Sequence, residues 1–249
     1  MNPVVQKLLR DAESLSGTPV QVVHDADLPI SARIQFARNG ASHHVLVVKP
    51  GPAADYAVAN QLGFLTRLFS LPAEDRCDFL ITPQAQQHAA TLVDELLLPQ
   101  RTLVGAGRAA ISQSILQWTL AGARSNPIGM RIDQAIFRDM PALRGSFKAG
   151  VREQNNLNLM GLRNLQQNFR VPAALAGPSA AYALFMDRLL GGTSYSIPFE
   201  AMGFLDEGRT LIRSFDNVPA TPASDRDLVD AWAAQMGVSD WYRWAPYSA

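Results

Sequence analysis

The residues of this chain best suited to chemistry fall on one face of a short stretch, residues 52–70, and at one position well downstream. Tyr56, Asn60, Gly63, Phe64 and Arg67 recur at helical spacing with Gln61 beside them, while Val58, Leu62, Leu65 and Phe69 make the opposite, apolar face. Gly51 and Pro52 suit the start of such a helix, Asp55 puts a negative charge in its first turn, and Pro72 bars continuation beyond its end. The polar face can bind, but it is poorly equipped to catalyse. Asn60 is a weak neutral metal ligand, Gln61 cannot take up a proton as a carboxylate does, and Phe64 offers no lone pair. Cys77 is the only cysteine, which excludes an intrachain disulfide and a Cys-based zinc site. Its neighbours Glu74, Asp75 and Asp78 oppose a thiolate. The four histidines, His24, His43, His44 and His88, read as solvated loop or strand-end residues. Adjacent His43 and His44 would point to opposite faces of a regular strand, which keeps them from sharing one metal.

Asn60-Gln61-Leu62-Gly63-Phe64 resembles the active-site helix of zincin-type metallopeptidases, particularly small intracellular ones whose helix reads roughly H-E-L-G-H-x-L. In that motif two histidines one turn apart bind zinc and the intervening glutamate activates water. The resemblance places Asn60 at the first histidine, Gln61 at the glutamate and Phe64 at the second histidine, while Leu62 and Gly63 match. Related enzymes often carry an acidic third ligand on a later helix, and Asp133 in Arg131-Ile132-Asp133 is either the remnant of that ligand or a surface carboxylate beside Arg131 and Arg138. Over residues 20–140 the resemblance implies an α+β, zincin-like fold, mainly helical with a small N-terminal sheet, whose metal centre has been lost. It implies no catalytic residue, metal or cofactor, and a binding face made of Tyr56, Asn60, Gln61, Phe64, Arg67 and Asp133.

At 249 residues the chain can bury a substantial core as one large domain or two small ones. Its 22 basic and 22 acidic residues balance, so no global charge draws it to nucleic acid, and 47% hydrophobic residues exclude disorder. No apolar run approaches bilayer-spanning length, and the N-terminal stretch carries Lys7, Arg10, Asp11 and Glu13 in place of a signal-peptide core, so no membrane association and a cytoplasmic location are expected.

The elements that must position the polar face follow from periodicity. Residues 3–16 read as a helix ended by Gly17-Thr18-Pro19. Val20–Val23, Ala32–Ala37 and His44–Val48 read as strands, with Asn39-Gly40 turning between the last two. In the fold that the resemblance implies, such a sheet offers an edge strand along a substrate cleft just before the metal-binding helix. Downstream, residues 84–98 are amphipathic, Gly105-Ala106-Gly107 reads as a linker, and separate helices are expected around Ile111–Thr119 and over Ile128–Met140, the second opened by Ser125-Asn126-Pro127. The amide-rich stretch Leu143–Phe169 reads as a helix with a solvated polar and basic face, Ala180–Leu190 as a core helix, and Asp225–Met236 as a helix capped by Ser224. The aromatic Trp241-Tyr242-Arg243-Trp244, with Tyr247, should pack back on the folded chain. The expected organisation is a zincin-like core over 1–140 and a mainly helical portion over 141–249.

The function these features favour is a catalytically inactive, metallopeptidase-like binding or regulatory module that captures a protein or peptide by strand addition. The alternatives are an active enzyme, using displaced zinc ligands or another hydrolase chemistry, and nucleic-acid binding through the basic helix.

Overall fold

A computed structural model describes residues 1–99 and 106–248. The chain is α+β and mainly helical, about 65% by residue, with two small sheets. It separates into two compact units: Met1–Asp78, Arg131–Gln154 and Ala245–Ala249 form the first, and Phe79–Met130 with Asn155–Trp244 the second. Both units are therefore discontinuous in sequence.

In the first unit, helix α1 (Pro3–Ser16) starts at Asn2, whose side chain accepts from the Val4 N–H, and stops at Gly17 with φ +70°. Strands β1 (Val20–His24), β2 (Ala32–Gln35) and β3 (His44–Val48) form a sheet in the order β1-β3-β2, β1 parallel and β2 antiparallel to the central β3. The hairpin between β2 and β3 turns at Asn39 and Gly40, with φ of +53° and +78°, the pair of left-handed conformations that Asn-Gly adopts most readily. β3 alternates buried and half-buried residues from His44 to Val48, so His44 faces the core.

Helix α2 (Ala54–Phe69) then packs on α1 and the sheet, and buries Val58, Leu62, Leu65 and Phe69 as their spacing requires. Asp55 in its first turn accepts from the Asn2 N–H at 3.1 Å. Beyond its end, Arg76 donates to the carbonyls of Leu71 and Phe69 and lies 4.8 Å from the Phe69 ring centroid.

Strands β4 (Cys77–Ile81) and β5 (Tyr242–Pro246) make the second sheet. Neither was expected from periodicity, because the partners lie far apart in sequence. Helix α3 (Pro83–Leu96) is capped by Thr82. Helix α4 (Ala106–Asp139) is continuous, with Pro127 inside it. The two helices expected on either side of Pro127 are thus one, since tertiary packing outweighs the hydrogen bond that proline removes. Of the expected Gly105-Ala106-Gly107 linker, Gly105 lies outside the described residues, and Ala106 and Gly107 begin α4.

Helix α5 (Arg144–Gln166) follows and carries the amide-rich stretch, but its polar face is not wholly solvated: Asn155 is buried. In the second unit, α6 (Ala173–Leu190), α7 (Ile197–Ala201), α8 (Leu205–Asn217) and α9 (Asp225–Gln235) build the core. Leu162, Ala176, Ala180, Ala183, Phe199 and Phe204 form one buried cluster. The backbones of α6 and α8 approach closely at Gly208, where an added Cβ would lie 2.9 Å from Ala180 Cβ. Ser224 makes no capping hydrogen bond to α9; its hydroxyl meets Thr221 Oγ1 at 2.8 Å.

The aromatic terminus packs inward. In the second unit, Trp241 and Tyr242 are buried, and Tyr242 stacks on Phe79 at 4.2 Å between centroids. In the first, Tyr247 donates its hydroxyl to Ala37 O and sets its ring edge-on to Phe69.

Candidate functional site

Four of the six residues singled out in the sequence meet in one hydrogen-bonded chain within the first unit. The Ile34 N–H of β2 donates to Gln61 Oε1 at 3.1 Å, and Gln61 Nε2 donates to Asn60 Oδ1 at 3.2 Å. Asn60 Nδ2 donates in turn to Asp133 Oδ1 at 2.9 Å. Tyr56 donates its hydroxyl to the same oxygen at 2.9 Å. The run therefore ends with two donors on one carboxylate oxygen, the arrangement a buried carboxylate requires.

Asp133 is 1% exposed, which overturns the reading of it as a surface carboxylate beside Arg131 and Arg138. Arg131 is buried too, and Arg138 instead pairs with its neighbour Asp139 on the surface. Nothing in the local sequence pattern around Arg131 marks it as buried.

Two glycines let the site close. A Cβ on Gly63 would lie 2.5 Å from Ile132 Cγ2, so only glycine lets α2 approach the Ile132-Asp133 segment this closely. Gly150 of α5 faces the Tyr56 ring so tightly that an added Cβ would overlap Cδ1, and Phe147 meets that ring edge-on at 5.1 Å. The Tyr56 hydroxyl is thereby aimed at Asp133. Gly63 was visible in the motif; the roles of Gly150 and Phe147 carry no sequence signal, because they arise from packing between distant segments.

Phe64 and Arg67 lie further along α2, both half-buried. Phe64 contributes a ring that offers no lone pair. Arg67 sits in the last turn, where its charge complements the negative end of the helix.

The donor set does not fit zinc. Asn60 presents N–H hydrogens to Asp133, and Tyr56 presents its O–H, so a cation at Asp133 Oδ1 would meet two positive dipole ends. Among the described residues, no group of three or more His, Cys, Asp or Glu could share a metal ion. Buried His44 departs from the expectation of a solvated strand end. Its Nδ1 accepts the Ala37 N–H at 2.8 Å, its ring lies 5.5 Å from Phe69, and burial holds its pKa below the usual imidazole value. It is a neutral packing group.

Among the described residues, no helix is long and apolar enough to cross a membrane. Comparison of the chain with protein-family models, with curated proteins and with solved structures returns no match.

Proposed function

We propose that the first unit is a zincin-like scaffold whose metal centre has been replaced by hydrogen bonds, and that the chain works as a peptide- or protein-binding module without peptidase activity. The observation that supports this is the Asn60–Asp133 contact. The positions that resemble a first and a third zinc ligand lie side by side, and an amide N–H takes the role of the cation opposite the carboxylate. Conversion of a ligand to asparagine would leave a buried acid in need of a donor, and Asn60 and Tyr56 supply it.

The binding surface in this reading is the outer edge of β2. Ile34 pairs with Leu46 of β3 in register, yet its N–H is turned away from β3 and donates to a side-chain carbonyl, Gln61 Oε1. A bound extended peptide would place a main-chain carbonyl where that carboxamide sits. Gln61 therefore acts as an internal stand-in for the ligand, displaced when a peptide adds to the edge.

Binding of extended peptides to the purified chain by fluorescence anisotropy tests this. Gln61→Ala frees the Ile34 donor and should tighten binding. Ile34→Pro removes that donor at an edge position, where proline is tolerated, and should weaken it. Peptide affinity unmoved by both changes would contradict the reading, as would cleavage of the peptides by the zinc-supplied wild-type protein.

A further inference from the structure

The second unit contains a cavity of about 400 Å³ that the α2 network does not touch. Its walls are apolar: Leu92 and Leu96 of α3, Ile115 of α4, Leu175 of α6, and Val238 and Trp241 after α9. This volume and lining belong to the range of small-molecule sites, in which a few polar groups set orientation. Here those groups are on α3, with the buried Thr119 of α4 beside them. His88, Thr91 and Glu95 recur at helical spacing along the cavity.

The charges at this cavity have one sign. Among its described lining residues Glu95 is the only carboxylate, and there is no lysine or arginine. Arg108 of α4 is already held by Asp94 through Nε at 2.9 Å and donates also to Ala90 O. His88 Nδ1 faces Asp240 Oδ2 at 3.4 Å, so even protonated it would be offset by that carboxylate. No hydrogen bond or ion pair to Glu95 occurs among the described residues. An apolar cavity whose one carboxylate has no cationic partner among the described residues complements a cation and repels an anion.

From this arrangement we infer that the cavity is a binding site for an apolar small molecule that carries a protonated amine, its body against Leu92, Ile115 and Trp241 and its ammonium on Glu95. A fatty acid of the same shape would bring its carboxylate against Glu95 and is disfavoured. The site is independent of the proposed peptide edge.

Calorimetric titration of the full chain with phenylbutylamine, phenylbutanol and phenylbutyrate separates these possibilities, with Trp241 fluorescence as a second signal. The amine should bind about two- to fivefold more tightly than the alcohol, as an ion pair on an exposed carboxylate would give, and the carboxylate most weakly. Glu95→Gln, at an exposed position that leaves the fold intact, should make amine and alcohol equal, and Leu92→Trp should fill the cavity and abolish binding of all three. The inference is overturned by absence of saturable binding for every probe, by a carboxylate that binds as well as the amine, or by an amine preference that survives Glu95→Gln.

Discussion

Asn60 Nδ2 lies 2.9 Å from Asp133 Oδ1, joining residues 73 positions apart through a buried carboxylate. Tyr56 shares that acceptor. Loss of the acid should therefore cost more than loss of either donor. Asp133→Ala should destabilise the chain by about 2–3 kcal/mol, and Tyr56→Phe or Asn60→Ala by about 1 kcal/mol each. In a double-mutant cycle by urea unfolding, Asn60→Ala and Asp133→Ala should couple by about 0.5–3 kcal/mol. Strict additivity would mean that the two side chains do not interact.

Gly63 gives a prediction with an unusual sign. In an exposed helix, glycine to alanine stabilises by up to about 1 kcal/mol. Here the new methyl would lie 2.5 Å from Ile132 Cγ2, so Gly63→Ala should destabilise instead. Adding Ile132→Val, which trims that side chain, should recover part of the loss in thermal unfolding. A stabilising Gly63→Ala would show that α2 and the Ile132 segment are not in close approach.

Burial lowers the pKa of His44, whose Nδ1 accepts the Ala37 N–H. In the unfolded chain the imidazole takes up a proton near its ordinary value of 6.5, and in the folded chain only at lower pH. The unfolded state thus binds more protons in that window, and stability should be full above pH 6.5 and fall as the pH drops toward the depressed folded value. His44→Gln should flatten this part of the stability profile. An unchanged slope in the variant would assign the effect to other groups.

Asp230 accepts from the Tyr242 hydroxyl and from Trp244 Nε1, the latter at 2.9 Å. Burial, together with this carboxylate, raises the Tyr242 pKa. Asp230→Ala should cost about 1–3 kcal/mol, since it leaves the hydroxyl of buried Tyr242 without its acceptor. Deletion of residues 240–249 should lower the melting temperature further, because it also exposes Phe79, stacked on Tyr242, and Phe69, which faces Tyr247. Melting unaffected by the deletion would show that the terminus is dispensable for folding.

The local features were legible in the sequence. The limits of β3, the Asn39-Gly40 turn and the buried stripe of α2 follow from period and from turn chemistry within a few residues. What depended on distant partners was not legible. Pairing of β4 with β5, passage of α4 through Pro127 and burial of Arg131 and Asn155 are decided by tertiary packing that no local pattern encodes. The candidate site divides in the same way. Tyr56, Asn60, Gln61 and Asp133 could be picked by spacing and motif, but the Ile34 N–H is a backbone group with no residue-type signature, and Gly150 gains meaning only from the Tyr56 ring against it.

In the function proposed for the first unit, the contact between α2 and Asp133 occupies a former metal position. This assignment is tested most directly by the triple change Asn60→His, Gln61→Glu and Phe64→His, followed by elemental analysis and zinc titration of the folded protein. Zinc should then bind at one per chain, with affinity lost when Asp133→Ala is added, because two imidazoles and the Asp133 carboxylate form a three-ligand site. A triple variant that keeps the wild-type circular dichroism and still fails to bind zinc would contradict it.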